Sequence, residues 1–235
     1  MKEWSQLEKI LGVTFTNQDL LKQALVHRSY LNENPSFHLP HNERLEFLGD
    51  AVLELAVTEY LYNHYPNPEG ELTNWRASLV NAKILSEISK DLGFEEYLFL
   101  SRGEAKDAGS KARQIILANA FEAIVGAIYL DQGMPAATQF IKKEVLSKLS
   151  HIIEYGLYVD AKSRFQELVQ EKFAVTPNYR VLSETGPDHS KNFKVGAYIG
   201  EKFIAEGAGT SKQEAQMAAA TNALQTNWEQ MVGKR

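Results

Sequence analysis

Apolar residues recur at three- and four-residue spacing from Gln6 to about Leu149, which is the periodicity of helices that bury one face. The pattern predicts that this part of the chain is all-α. Proline and glycine interrupt it where we expect the chain to turn between helices. The breaks fall at Pro35, Pro40, residues 66–70, Gly93, residues 103–109 and residues 133–135.

The pattern changes after residue 150. Residues 151–159 contain a glycine and lose the helical spacing, so we predict a linker there. A helix is predicted over 161–173, and alternating apolar and polar positions then predict strands around 179–183, 192–199 and 201–207. A last helix is expected from Ser211 to about Asn227, with Thr210 or Ser211 as its N-cap. The predicted architecture is therefore an all-α domain over residues 1–150, then a small α+β domain (α-β-β-β-α) over 160–228 and a tail at 229–235.

The stretch Ile115–Leu130 is apolar on nearly every side but contains Asn119 and Glu122. At about 16 residues it is shorter than the roughly 20 that cross a membrane. We therefore expect a central helix buried within the protein and no association with a membrane. A carboxylate in such a helix is costly unless it is paired, protonated or bound to a metal, which makes Glu122 a candidate site residue.

A second group of acids lies in "HNERLEFLGDAVLEL", residues 41–55. Glu43, Glu46 and Asp50 are spaced i, i+3 and i+7, so they share one helix face within an arc of about 60°. An apolar stripe on the opposite side is expected to anchor this helix in the core. The stripe consists of Leu45, Leu48, Val52 and Leu55.

Asn119 and Glu122, also at i and i+3, would bring oxygen donors from a second helix to the same place. Oxygen ligands favour Mg²⁺ or Mn²⁺ over zinc, and such ions mostly serve phosphate chemistry. Acids at this spacing are also common on solvated helix faces, and spacing alone leaves that alternative open.

The composition of the chain restricts the chemistry further. None of the 235 residues is cysteine, which excludes disulfides, thiolate metal sites and a cysteine nucleophile. A formal net charge of -5 argues against binding nucleic acid by bulk attraction, so any such contact must come from local patches. The N-terminus has no basic stretch followed by an apolar run, and the cytoplasm is the expected location.

Several motifs resemble those of the ribonuclease III family. "HNERLEFLGDAVL" resembles its signature, and three further blocks resemble the others in order and spacing: "ALVHRSYLNE" at 24–33, "LTNWRASLVN" at 72–81 and "ILANAFEAIVGAIYLD" at 116–131. The second domain resembles the family's double-stranded-RNA-binding domain. The resemblance, which spans residues 7–224, implies a homodimer that hydrolyses double-stranded RNA with Mg²⁺ and functions in RNA processing. It also implies products with 5′-phosphate and 3′-hydroxyl ends and two-nucleotide 3′ overhangs.

By motif position, the resemblance makes Glu46, Asp50 and Glu122 metal ligands, with Glu43 lining the same cleft. The family usually has aspartate where this chain has Asn119. An amide oxygen can still coordinate Mg²⁺, but the site loses a full negative charge, so we expect an active enzyme with a raised metal requirement, helped more by Mn²⁺. The alternatives are full activity, or a protein that binds duplex RNA without cutting it.

In the second domain, the resemblance implies that Gln166 and Glu167 contact one minor groove of duplex RNA and that His189, in a turn, contacts another. Lys212 would approach phosphates together with the N-terminus of the last helix. Eight basic and eight acidic side chains cancel over residues 160–228, so we expect weak and salt-sensitive binding by this domain alone.

In the first domain, Lys106, Lys111 and Arg113 are further candidate phosphate contacts, although a solvated loop would contain the same residues. His27 lies beside apolar residues, and we interpret it as a packing residue, together with Arg28 and Tyr30. A third possible function, a metal-dependent phosphohydrolase of small molecules, is disfavoured by the second domain.

Overall fold

The computed structural model describes residues 2–107, 109–156, 158, 160–187 and 191–232. The chain forms two compact units, Met1–Tyr158 and Val159–Arg235. The first unit is helical and the second combines helices with one antiparallel sheet, so the predicted fold class is confirmed.

Nine α-helices of the described residues build the first unit, with short 3-10 turns at Phe94–Glu96 and Leu146–Lys148. The predicted breaks separate these helices, except that residues 66–70 include the first two residues of α5, residues 103–109 include part of a short helix, and residues 133–135 lie within a long one. There Gly133 leaves helical geometry, with φ 79° and ψ −178°, and the helix kinks. The helices are α1 (Trp4–Leu11), α2 (Gln18–Ala24), α3 (Arg28–Glu33), α4 (Glu43–His64), α5 (Glu69–Leu79), α6 (Ala82–Asp91), α7 (Arg102–Lys106), α8 (Lys111–Glu144) and α9 (Leu149–Glu154).

Helix α8 forms the centre of the first unit, as the sequence predicted. Leu117, Phe121 and every residue from Ala123 to Ile128 are buried. By length and composition alone the helical run Lys111–Glu154 could cross a membrane, but most of its apolar segment is already covered by protein. This is the environment of a core helix.

Helices α4 and α8 cross at two glycines, Gly49 and Gly126. A Cβ atom added to Gly49 would lie 1.7 Å from the carbonyl oxygen of Glu122, and one added to Gly126 would lie 2.3 Å from that of Leu45. Only glycine allows the two backbones to approach this closely. The crossing therefore brings the α4 acids next to the polar positions of α8.

The expected apolar stripe of α4 is only partly right. Leu45 and Val52 are buried and Leu48 is half-buried, but Leu55 is 59% exposed. The buried line runs through Gly49, because the contact with α8 passes there. The expected anchoring role of Leu55 is therefore wrong.

The second unit packs helices against one face of a three-stranded antiparallel sheet in the order β1-β2-β3. Arg180 pairs with Gly196, which in turn pairs with Glu206. Phe165, Ile204 and Ala219 lie in the small core between sheet and helices. The elements are α10 (Ala161–Phe173), β1 (Asn178–Thr185), β2 (Asn192–Ile199), β3 (Lys202–Gly209), α11 (Lys212–Leu224) and α12 (Trp228–Val232).

Two expected irregular segments contain helix instead. Helix α9 continues to Glu154 within the expected linker, and its Ile152, 3% exposed, belongs to the core of the first unit. Residues 229–232 of the expected tail lie in α12, whose Trp228 is 5% exposed and packs edge-on against Phe165, and residues 233–235 lie outside the described residues. Tertiary contacts of these apolar side chains stabilise helices too short to be recognised from periodicity.

Candidate active site and RNA-binding surfaces

The start of α4 is fixed by Asn42, which is 3% exposed. Its side-chain amide donates to the carbonyl of Ala24, its backbone N–H donates to Val26, and its own carbonyl accepts from the N–H of Glu46. These bonds orient the first turn of the helix. Glu43 follows, exposed, with its carboxylate 3.7 Å from the Arg28 guanidinium.

Glu46 is half-buried and faces other polar side chains. Its burial raises the pKa of the carboxyl group, and the negative charges of Glu43 and Asp50 raise it further. A hydrogen bond with the Asn119 side chain offsets part of this rise. Asp50, one turn further along α4, is exposed.

On α8, Asn119 and Glu122 are the two positions between Ile116 and Ile128 that are not buried. Burial, then the charges of Asp50 and Glu46, raise the pKa of Glu122 from 4.5 to about 8. Glu122 is therefore protonated at neutral pH without a metal. It is half-buried rather than fully buried, because Asn119 and Glu122 lie on the side of α8 that faces the acids of α4.

A further acid, Glu54, also raises the pKa of Glu122. It extends the face of Glu43, Glu46 and Asp50 to i+11, so the spacing of the acids contained a signal that our sequence interpretation missed. Its carboxylate lies 3.1 Å from Arg76 of α5. This ion pair partly neutralises the distal end of the acidic face.

The donors fit a hard divalent cation in chemistry, since all are carboxylate or amide oxygens. Within the described residues, no three His, Asp or Glu side chains form a group ready to hold one ion. Carboxylates that repel one another separate when no cation lies between them. Binding of an ion here therefore requires the side chains to rearrange, including the contact between Asn119 and Glu46.

The candidate RNA contacts of the second unit lie on two helices. Gln166 and Glu167 are exposed on α10. Ser211 caps α11 by accepting from the Glu214 N–H, and the exposed Lys212 opens the helix with its Nζ 5.8 Å from the centre of the Phe193 ring. His189 lies outside the described residues.

The three basic candidates of the first unit occupy different environments. Lys106 ends α7 and Lys111 begins α8, and both are exposed. Arg113 is only 5% exposed, and its guanidinium donates to the carbonyl of Glu104. Direct contact of Arg113 with a phosphate is therefore not supported, because its cationic end is buried against the backbone of α7.

Comparisons with known proteins match both units. The family model described as Ribonuclease-III-like matches residues 17–149, and that of the Double-stranded RNA binding motif matches residues 161–227. Ribonuclease 3 of Dehalococcoides mccartyi is 42% identical over 226 residues, 96% of this chain and 95% of that protein. Ribonuclease 3 of Borreliella afzelii is 46% identical over 221 residues, 94% and 89% respectively. The chain belongs to the ribonuclease III family.

Solved structures of this family agree with the first unit. A nuclease domain of ribonuclease III from Campylobacter jejuni is similar with a TM-score of 0.56 and 38% identity, covering 63% of this chain and 97% of that one. A second structure of that domain, with a TM-score of 0.54 and 38% identity, covers 60% of this chain and 98% of that one. Its description refers to a region involved in dimer formation of the Campylobacter protein.

Membership of the ribonuclease III family confirms the resemblance found in the sequence. It supports an endoribonuclease specific for double-stranded RNA, with a helical nuclease domain followed by a domain that binds such RNA. The metal, the chemistry of the cleaved ends and the individual site residues belong to the proposal that follows.

Proposed function

We propose that the chain hydrolyses phosphodiester bonds of double-stranded RNA with Mg²⁺ held by Glu46, Asp50, Asn119 and Glu122, and with Mn²⁺ able to substitute. Glu43 lines the same cleft, and Glu43, Asp50 and Glu122 contribute to catalysis. The observation that supports this most is the glycine crossing of α4 and α8, which brings acids of two helices close enough for Asp50 and Glu46 to raise the pKa of Glu122.

The charges of the site residues favour the binding of a cation. Glu122 carries a proton at neutral pH and releases it when a positive charge replaces the repulsion from Asp50 and Glu46. Asn119 contributes an amide oxygen without adding charge. When bound, Mg²⁺ supplies an activated water and stabilises charge on the leaving 3′ oxygen. The products would carry 5′-phosphate and 3′-hydroxyl ends, with two-nucleotide 3′ overhangs, in RNA processing in the cytoplasm.

The second unit would hold the duplex. Gln166 and Glu167 would contact one minor groove and His189 a second, while Lys212 and the start of α11 approach phosphates. Lys106 and Lys111 would add phosphate contacts from the first unit. Because the second unit is formally neutral, its binding alone should be easily screened by salt.

We further propose a homodimer through the first unit. Phe47 is 80% exposed on α4, a large apolar surface for a residue outside an interface. It borders a cavity of about 740 Å³, whose lining includes Leu20, Pro40 and Leu130. Because the ring and the cavity lie on one face, the Phe47 ring of each copy could pack into the cavity of the other in a symmetric dimer.

Incubation of the full chain with an end-labelled RNA duplex tests the proposal, with Mg²⁺ in one sample and EDTA in another. We expect cleavage in the sample with Mg²⁺ and none in the sample with EDTA. The fragments should accept a 5′ label from a kinase only after a phosphatase has removed their 5′-phosphate, and they should have two-nucleotide 3′ overhangs. Retention of uncut duplex in Mg²⁺ would contradict it and would favour a binding protein disabled by Asn119. Absence of both binding and cutting would contradict both functions.

A further inference from the structure

A cavity of about 400 Å³ lies between the start of α3 and the start of α8, outside the residues assigned above to the metal site. It combines hydrogen-bonding side chains with apolar surface. Such a mixture suits a ligand that has both a charged group and a flat or apolar part. Its lining includes His27, Arg28, Ser29, Asn32, Glu104 and Ile115.

A buried cation lies beside this cavity. Arg113 is 5% exposed, and its Nε–H has no hydrogen-bond partner among the described residues. Its positive charge reaches the cavity, because it contributes to lowering the pKa of His27. Arg113 also donates to the backbone carbonyl of Glu104, and the two residues shift the pKa of His27 in opposite directions.

His27 enters the cavity lining as a neutral ring. Burial lowers the pKa of its imidazole, and Nδ1 accepts from the backbone N–H of Ser29 at 3.3 Å. The ring proton of this tautomer therefore lies on Nε2, which is available as a donor. With a neutral histidine, Arg28 and Arg113 face two acids, Glu104 and Glu43, so the charges around the cavity balance until Glu43 is displaced from Arg28.

Arg28 connects the cavity with the acidic face of α4. Its guanidinium lies 3.7 Å from the carboxylate of Glu43, and 71% of its side chain is exposed. An exposed pair of this kind contributes little stability, so a phosphate can replace Glu43 as the partner of Arg28 at small cost. The cavity is thus positioned to hold a part of the substrate that adjoins the acidic face.

We propose that this cavity binds the ribonucleotide next to the scissile bond, with Arg28 and Asn32 holding its phosphate and Glu104 accepting a hydrogen bond from its 2′-hydroxyl. The 2′-hydroxyl is the group by which a protein distinguishes RNA from DNA, and a carboxylate can only accept from it. The inference rests on the proposed cleavage of duplex RNA and names residues that would recognise the substrate beside that site.

Cleavage kinetics of Arg28→Gln test the phosphate contact. We expect KM to rise about tenfold at moderate salt with kcat within about twofold, and the salt dependence of kcat/KM to become shallower by about one unit of slope. Arg102→Gln is the matched control. Arg102 is an exposed arginine of α7 that contacts Glu33 through its backbone N–H, so this contact survives the substitution.

A second arm tests the ribose contact with duplexes that carry a single 2′-deoxy nucleotide, moved one position at a time around the cleavage site. One position should lower kcat/KM severalfold for the parent and leave Glu104→Ala unaffected, since that variant has already lost the acceptor. Circular dichroism melting checks that all three variants fold.

An unchanged KM and salt slope for Arg28→Gln would overturn the inference, provided that the parent cuts the duplex. A fall in kcat with KM unchanged would also overturn it, because Arg28 would then act through Glu43. Equal sensitivity of the parent and Glu104→Ala to every 2′-deoxy position would remove the ribose contact. Failure of the parent itself to cut would instead contradict the proposed function.

Discussion

The motif resemblance implies an aspartate at position 119, where this chain has Asn119, and the side chain of Asn119 forms a hydrogen bond with Glu46. Replacement by aspartate removes that hydrogen bond and adds a fourth carboxyl group to those of Glu46, Asp50 and Glu122. The added charge should strengthen cation binding and weaken the metal-free protein.

For Asn119→Asp we therefore expect half-maximal cleavage at about one tenth of the Mg²⁺ concentration, equivalent to about 1.4 kcal/mol of binding free energy. The measurement is a Mg²⁺ titration of the cleavage rate for parent and variant. Asn119→Gln, which keeps the amide, is the control for side-chain change without charge. No gain for the aspartate variant at any Mg²⁺ concentration would show that the amide does not limit the site.

Glu122 should make the metal-free protein less stable as the pH rises. Its folded-state pKa is about 8, above the ordinary 4.5, so between these values the folded chain keeps a proton that the unfolded chain has lost. The free energy of unfolding therefore decreases from about pH 4.5 to about pH 8. Because the side chain is partly exposed, we expect a loss of about 2 kcal/mol, less than the full shift would give.

Thermal melts in EDTA across this pH range, compared with Glu122→Gln, check the effect. The glutamine variant should lack the part of the decrease that comes from this carboxyl group, and the two proteins should converge at low pH, where Glu122 is neutral. If the Tm of both proteins changed with pH in the same way across this range, Glu122 would have an ordinary pKa.

At the scale of the elements, the crossing of α4 and α8 depends on Gly49. A Cβ atom there would overlap the carbonyl of Glu122, so Gly49→Ala must separate the helices and move Glu46 and Asp50 away from Glu122. We expect a loss of about 3 kcal/mol in unfolding free energy and a severe loss of cleavage. Urea denaturation and the cleavage rate measure the two effects.

Gly70→Ala is the matched control for that substitution. Gly70 lies in α5 with no atom within 4 Å of an added Cβ, so alanine should stabilise the helix by about 0.5–1 kcal/mol and leave cleavage intact. Tolerance of alanine at Gly49 as well would mean that the two helices can separate without loss of the site.

For the whole molecule, the proposed dimer depends on Phe47. Phe47→Ala removes the exposed ring and should weaken dimerisation by about 2 kcal/mol or more, which is the cost of losing a central apolar contact in an interface. Sedimentation equilibrium of parent and variant measures it. Val175→Ala, at an exposed apolar residue of the second unit, is the control and should leave association unchanged.

A chain ending at Tyr158 should fold and cut duplex RNA at low salt. The truncation must come after α9, because a chain that ends at His151 would lack Ile152, which belongs to the core of the first unit. Without the second unit, cleavage should decline much faster with salt than for the full chain, since fewer contacts to the duplex remain. Activity of the short chain equal to the parent at moderate salt would mean that the second unit does not contribute to binding.

The sequence by itself determined the fold class, the central position of α8 and the acids that share one face of α4. These follow from local periodicity: apolar spacing reveals which face a helix buries, and i, i+3, i+7 spacing reveals which side chains point together. It also determined the family, because long motifs occur in a fixed order.

Only the tertiary structure decided where the helices meet. Glycine occurs in many roles, and nothing in the pattern around Gly49 and Gly126 indicates that two backbones touch there. That contact makes Glu54 an electrostatic neighbour of Glu122, and burial against α7 prevents Arg113 from acting as a surface cation. Burial and charge coupling depend on residues distant in the chain, so local spacing cannot reveal them.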